Sequence, residues 1–178
     1  MTPRIAPGDL RDVGVVNWVV SAVSGRVAGT GPPNLFLTLG RNRGLFRGWL
    51  HFAGRLMPGG KLPRQDTELV ILRVAHLRNC AYEFEHHRHL ARRAGLSDAD
   101  VERVVTAPDA AEWSTRQRAL VAACDELDRD HDVSDTTWDA LRQHLDDRRL
   151  IEFLFLVGHY QMLATAIATL RVEPDRRG

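Results

Sequence analysis

The stretch that decides the fold is Glu68-Leu-Val-Ile-Leu-Arg-Val-Ala-His-Leu-Arg-Asn-Cys-Ala-Tyr-Glu-Phe-Glu-His-His-Arg-His-Leu-Ala-Arg-Arg-Ala-Gly-Leu96. Its first part lies inside a dense apolar run, Pro63 to Leu77, with Leu69, Val70, Ile71, Leu72, Val74, Ala75 and Leu77. A helix apolar on all sides belongs in the middle of a bundle or at a subunit interface. The spacing then predicts a second helix over Cys80–Ala94, capped by Asn79 and stopped at Gly95. On it Cys80, Glu83 and His87 fall on one face, with Glu83 and His87 at i, i+4. Phe84, Leu90, Ala91 and Ala94 lie on or beside that stripe, so the polar trio is expected to face inward.

Outward from this pair the period stays helical. Asp12–Val27 reads as one helix, and Pro33 opens a short one through Leu39. Leu45–Leu56 places Leu45, Trp49, Phe52, Ala53 and Leu56 on a stripe before Met57-Pro-Gly-Gly60 stops it. Ser97 starts the next helix, Pro108 ends it, and Ser114 with Gln117 spells a capping box. Ser134 caps a helix through Leu145, the last helix runs from about Arg149 to Leu170, and the polar tail Glu173–Gly178 is expected to fray. Seven or eight helices on short connections make an all-α helical bundle, one domain over residues 1–178.

The whole chain of 178 residues sits near the size of one domain and can bury a core without a metal or disulfide. Its 24 basic and 23 acidic residues leave a formal charge of +1, which excludes an electrostatic case for nucleic acid or an anionic membrane. Two cysteines, Cys80 and Cys124, make no disulfide framework and fit a reducing cytoplasm. The N-terminus has no signal-peptide-like apolar run. Leu150–Leu170 is interrupted by Glu152, His159 and Gln161 and reads as a buried helix rather than a membrane span.

Inward titratable groups shift their pKa and are candidates for chemistry. Glu83 and His87 make a candidate proton-transfer dyad, and the turn at Arg78–Asn79 can bring Glu68 opposite them. The bland alternative is a solvated ion pair worth about 0.3–0.5 kcal/mol, with Cys80 a core filler. His86 and His89 share a spacing a metal could use, but nothing nearby completes a metal signature, and a solvated basic face with Arg88, Arg92 and Arg93 is the simpler reading. Arg73 suits either a substrate carboxylate or an ion pair. His159-Tyr160 can approach the pocket from the last helix, although a satisfied core histidine is the simpler account. The four tryptophans, at 18, 49, 113 and 138, read as core or interface anchors.

The stretch Leu62–Val101 resembles the carboxymuconolactone decarboxylase family, which includes the alkylhydroperoxidase D group. The resemblance rests on Glu68-Leu-Val-Ile-Leu-Arg-Val-Ala75, Cys80-Ala-Tyr-Glu83, His87 and Ala91-Arg-Arg-Ala-Gly-Leu-Ser97, and on Gly158-His-Tyr-Gln-Met-Leu163 in the closing helix. It implies an alkylhydroperoxidase D-like fold with a family core over about 35–172, and homo-oligomers, commonly trimers or hexamers. In the alkylhydroperoxidase D pattern a Glu precedes Cys-x-x-Cys, and a His follows four residues after the second Cys. Glu68, Cys80 and His87 match; Glu83 stands where the second cysteine would be. A carboxylate cannot resolve a sulfenic acid as a disulfide, and its charge raises the pKa of a neighbouring thiol. The expectation is therefore cofactor-free acid–base chemistry on a small organic acid or lactone by His87, Glu83, Glu68 and Cys80, with no metal. A thiol-dependent hydroperoxide reductase using Cys80 and a non-catalytic oligomeric binding module are the rivals.

Overall fold

A computed structural model describes residues 2–175, with the side chains of residues 27 and 28 excepted. Ten helices form among the described residues, eight of them of eight residues or more. The other two are short pieces of four and six residues in the N-terminal part of the chain. The chain divides into two compact units, residues 1–55 with 165–178, and residues 56–164.

The first unit begins with α1 (Leu10–Val13), capped by the Asp9–Asp12 capping box. Gly14, at φ 79°, separates it from α2 (Val15–Ala28), so the expected single helix over Asp12–Val27 is broken there. A left-handed glycine between two turns of helix is the physical reason. On α2 Asn17 and Ser21 are buried, whereas Val15, Val16, Val19 and Val23 are exposed. α3 (Asn34–Leu39) follows Pro33 as expected. On α4 (Arg43–Leu56) the expected apolar stripe is offset: Phe46 is buried and Leu45 lies 66% exposed. Phe46 stacks with Trp49 at 5.7 Å and meets Phe36 edge-on at 5.5 Å, and these aromatic contacts fix the helix rotation.

The tail is held rather than frayed as far as it is described. Asn34 donates its backbone N–H to Asp175 at 2.7 Å and its side-chain amide to the carbonyls of Glu173 and Pro174. Residues 176–178 lie outside the described residues.

The second unit is organised around α5 (Arg64–Leu77), which packs against α6 (Ala81–Arg93), α7 (Asp98–Thr106) and α8 (Thr115–Arg129). Every residue from Asp66 to Ala75 is buried. Burying Asp66 and Arg73 requires partners. Asp66 receives Arg116 Nε at 2.7 Å; Arg73 grips Asp125 with two bonds of 2.6 and 2.9 Å and donates to the Val104 carbonyl. Arg73 is thus a structural ion pair, which leaves it no role in holding a substrate carboxylate. Ser97 and Ser114 form the expected capping boxes of α7 and α8. Trp113 is buried and Trp138, on α9 (Asp135–Arg142), packs against the core.

α10 (Asp147–Leu170) is long and apolar enough, by length and composition, to cross a membrane. One of its faces nevertheless builds the protein core through Leu150, Phe153, Leu156, Val157 and Tyr160, while Ile151 and Met162 are exposed. Glu152 reaches back to the turn before α5, accepting the backbone N–H groups of Lys61 at 2.6 Å and Leu62 at 2.9 Å. Gly60 makes this possible, because a Cβ there would collide with Glu152 Oε1 and the Leu56 carbonyl.

Candidate functional site

Helix α6 starts one residue later than the spacing suggests. Cys80, not Asn79, is its N-cap, and Asn79 takes a positive φ of 51° to end the turn after α5. Asparagine tolerates that conformation better than most residues. The face carrying Cys80, Glu83 and His87 is inward as expected, each 5% exposed or less.

Glu68 is completely buried on α5. Its Oε2 lies 2.8 Å from His87 Nδ1 on α6, and its Oε1 lies 2.7 Å from an Arg64 guanidinium nitrogen one turn earlier. His87 Nε2 faces the hydroxyl of Tyr160 on α10 at 3.2 Å. Three helices therefore supply one chain of contacts, Arg64–Glu68–His87–Tyr160. With Glu68 as a carboxylate, Nδ1 carries the imidazole proton and Nε2 accepts from the Tyr160 O–H. Burial raises the Tyr160 pKa well above that of an ordinary phenol, aided by the charges of Glu68 and Glu83, so the hydroxyl keeps its proton. The assembly can hold a neutral imidazole in one tautomer and exchange a proton through it.

The expected Glu83–His87 pairing does not form. Neither carboxyl oxygen of Glu83 has a protein N–H or O–H partner, although the residue is only 3% exposed. Its neighbour is the weakly donating thiol of Cys80, and burial pushes the carboxyl up to about 8. An i, i+4 spacing brings two side chains close on a helix, but Glu68 from α5 has taken His87 Nδ1 and Tyr160 has taken Nε2.

Cys80 is disposed against thiolate formation. Burial, and then the Glu83 charge, push it up to about 12, outweighing the backbone N–H groups of Glu83 and Tyr82 that face the sulfur. Cys124, fully buried on α8, is pushed up by burial as well. Both cysteines are free. Cys80 also lines a cavity of about 280 Å³ with Ala75, His76, Asn79, Ala81 and Phe84. Among Glu68, Cys80, Glu83 and His87, Cys80 alone lines it.

Around the chain the rings meet edge to face: His86 with His87 at 5.4 Å, His87 with Tyr160 at 5.2 Å, and Tyr160 with His159 at 5.1 Å. Burial pushes His86 and His159 down to about 4, with the nearby His87 adding to it, so both are neutral near pH 7. Among the described residues no group of three or more His, Cys, Asp or Glu is arranged to hold a metal ion. Sequence reading has no role for Arg64; it offers His159-Tyr160 as an approach to the pocket from the last helix, with a satisfied core histidine as the simpler account, and the structure places Tyr160 on His87. The position of Arg64 four residues before Glu68 was the available signal.

Residues 43–126 match the model of the carboxymuconolactone decarboxylase family. No match to a curated protein was found. Several solved structures share the architecture. An alkylhydroperoxidase AhpD core protein, an uncharacterized peroxidase-related protein from Ralstonia eutropha, is 19% identical, with 98% of this chain and 94% of that one covered and a TM-score of 0.81. The debrominase Bmp8 in complex with 2,3,4-tribromopyrrole is 16% identical, over 97% and 92% of the two chains, with a TM-score of 0.82. An uncharacterized peroxidase-related protein from Silicibacter is 18% identical, over 88% and 83%, with a TM-score of 0.79. At such identities the likeness is one of fold. The chain therefore carries the all-α fold of alkylhydroperoxidase D-like proteins, and its segment 43–126 is similar to the carboxymuconolactone decarboxylase family.

Proposed function

We propose that the protein is a cofactor-free acid–base enzyme acting on a small organic acid or lactone, in the manner of a carboxymuconolactone decarboxylase. The observation that carries this reading is the buried Glu68–His87–Tyr160 hydrogen-bonded chain. Decarboxylation of a γ-lactone acid needs a proton delivered to the carbon that loses carbon dioxide. An imidazole held by a carboxylate on one side and a phenol on the other is suited to that delivery, a role worth about 10²–10⁴-fold in rate. Turnover of γ-lactone acids by wild type, His87→Asn and Cys80→Ser tests it. Loss in H87N with activity retained in C80S is expected; full activity in H87N ends the proposal.

A second reading, a thiol-dependent hydroperoxide reductase, is favoured by one observation: Cys80 lines the cavity. Its raised pKa and the carboxyl at the second-cysteine position weigh against it. Peroxide reduction that disappears in C80S would select it. A third possibility, a non-catalytic ligand-binding module, predicts ligand-induced thermal stabilisation without turnover. The family resemblance also supports a cytoplasmic homo-oligomer, a trimer or hexamer, and the exposed valines of α2 are apolar surface available to such an assembly. Light scattering on the purified chain measures its mass in solution.

A further inference from the structure

The formal charge of +1 conceals a division. Counted on the sequence, the unit of residues 1–55 and 165–178 carries ten Lys or Arg against four Asp or Glu, a charge of +6. The unit of residues 56–164 carries fourteen against nineteen, a charge of −5. No acidic residue occurs between Asp12 and Asp66, and Asp12 is itself paired with Arg41 at 3.1 Å. A near-neutral chain whose signs are sorted onto different units offers surfaces of opposite sign to a second copy of itself.

Apolar surface is sorted in parallel. α2 is amphipathic in reverse: Asn17 and Ser21 are buried, with the Ser21 hydroxyl donating to the Asn17 carbonyl at 2.8 Å, whereas Val15, Val16, Val19 and Val23 are 48–66% exposed. A helix that turns its polar side inward and its valines outward presents a face suited to being covered. A second such face lies on α10. Ile151, Phe155 and Met162 are 54–58% exposed and fall within about 40° of one another around the helix axis. Gly158, on the same line, is exposed, and a Cβ there would meet nothing within 4 Å, so another helix can approach closely. Neither stripe carries a charge, yet each is flanked by the sign of its unit. Arg43, bonded to the Arg11 and Asp12 carbonyls, stands beside the start of α2, and exposed Asp147 lies one turn before Ile151.

We propose that the valine face of α2 in one copy seats on the Ile151–Phe155–Met162 stripe of α10 in a second copy, a contact between unlike faces drawn together by opposite charge. It rests on the homo-oligomer reading above and deepens it by naming the two surfaces. Pairing like with like is disfavoured, because α2 on α2 sets a +6 unit against a +6 unit and α10 on α10 sets −5 against −5. The faces are also similar in length, about 12 Å from Val15 to Val23 and about 16 Å from Ile151 to Met162. Apolar burial supplies the affinity, and charge selects which face meets which.

The test is charge-swap complementation on the full chain, read as mass by light scattering at one fixed protein concentration. Val19→Asp puts a carboxylate in the α2 face, and Phe155→Arg puts a guanidinium in the α10 stripe. Both positions are exposed, so the fold should stand, which circular dichroism and the urea midpoint check. Should either variant unfold, Val16→Asp and Met162→Arg repeat the swap. Wild type should show at least twice the chain mass of 20.0 kDa, and each variant alone should show 20.0 kDa. Mixed in equal amounts, the two variants should associate again, since each brings one intact face and the altered faces are opposite in sign. Raising NaCl from about 50 to about 500 mM should weaken the wild-type assembly by about tenfold. An assembly indifferent to salt, an oligomer that survives V19D or F155R alone, or a mixture that stays monomeric overturns this contact and leaves the homo-oligomer to another face. A monomeric wild type removes both. If that monomer sediments with phosphatidylglycerol vesicles and V19D does not, the basic apolar face belongs to anionic lipid instead.

Discussion

Glu68 Oε2 and His87 Nδ1 stand 2.8 Å apart across two helices although 19 residues separate them in sequence. Glu68 is wholly buried and is also held by Arg64, so it has no solvent to replace either partner. Glu68→Ala is expected to cost about 2–3 kcal/mol in urea unfolding, as a hydrogen bond to a charged group is removed. Glu68→Gln should unfold closer to wild type yet lose about 10²-fold or more in turnover, because an amide does not favour one imidazole tautomer as a carboxylate does. Equal kcat in E68Q and wild type would dismiss the relay.

Tyr160 closes the other side of the imidazole. Tyr160→Phe keeps the edge-to-face ring contact at 5.2 Å and removes only the hydroxyl. A stability loss of about 1 kcal/mol is expected. If the hydroxyl takes part in proton transfer, kcat should fall by about tenfold or more with a changed pH–rate profile. A stability loss with an unchanged profile would reduce Tyr160 to packing.

Stability should depend on pH in two opposed windows. The folded state keeps the Glu83 proton up to about 8, while the unfolded chain releases it near 4.5, so the folded state binds more protons between those values and stability falls as pH rises across them. For His159, lowered from 6.5 to about 4, the unfolded chain binds more protons, and stability falls as pH drops from 6.5 through 4. Glu83→Gln should therefore gain on the order of 2–4 kcal/mol relative to wild type between pH 5 and pH 9. Parallel pH–stability curves for the two proteins would contradict the burial of an acid there.

The thiol of Cys80 should be sluggish. With its pKa pushed up to about 12, its alkylation by iodoacetamide at neutral pH in the folded protein is expected to be at least about 10²-fold slower than that of free cysteine. Intact mass spectrometry follows this directly, and rapid single labelling of the native state would refute it.

Arg73→Met should be a stability mutant with no signature in KM. The guanidinium is bonded to Asp125 and the Val104 carbonyl, and losing those bonds, with Asp125 left partly exposed to water, costs about 1–3 kcal/mol. A raised KM at unchanged stability would restore it to the substrate.

Much of this arrangement is legible in the sequence because it is local. The apolar run through α5, the caps at Ser97 and Ser114, and the inward face of Cys80, Glu83 and His87 all follow from period and cap chemistry. The all-α class follows with them. What escapes is pairwise and long-range. Spacing offers Glu83 as the partner of His87, but the competition from Glu68 and Tyr160 is decided by how α5, α6 and α10 cross. Periodicity likewise chose Leu45 over Phe46, which ring packing with Phe36 and Trp49 reverses. The hold of Asn34 on Glu173, Pro174 and Asp175 spans about 140 positions, beyond any local signal.

The grip of Glu152 on the amides of Lys61 and Leu62 turns the long closing helix into a ruler. Tyr160 lies eight residues further on, about 12 Å along the axis, so its height and azimuth are referenced to the same turn that launches the helix bearing Glu68. Inserting one alanine between Glu152 and Tyr160 would swing the phenol by about 100° and detach it from the imidazole while leaving every catalytic candidate in the chain.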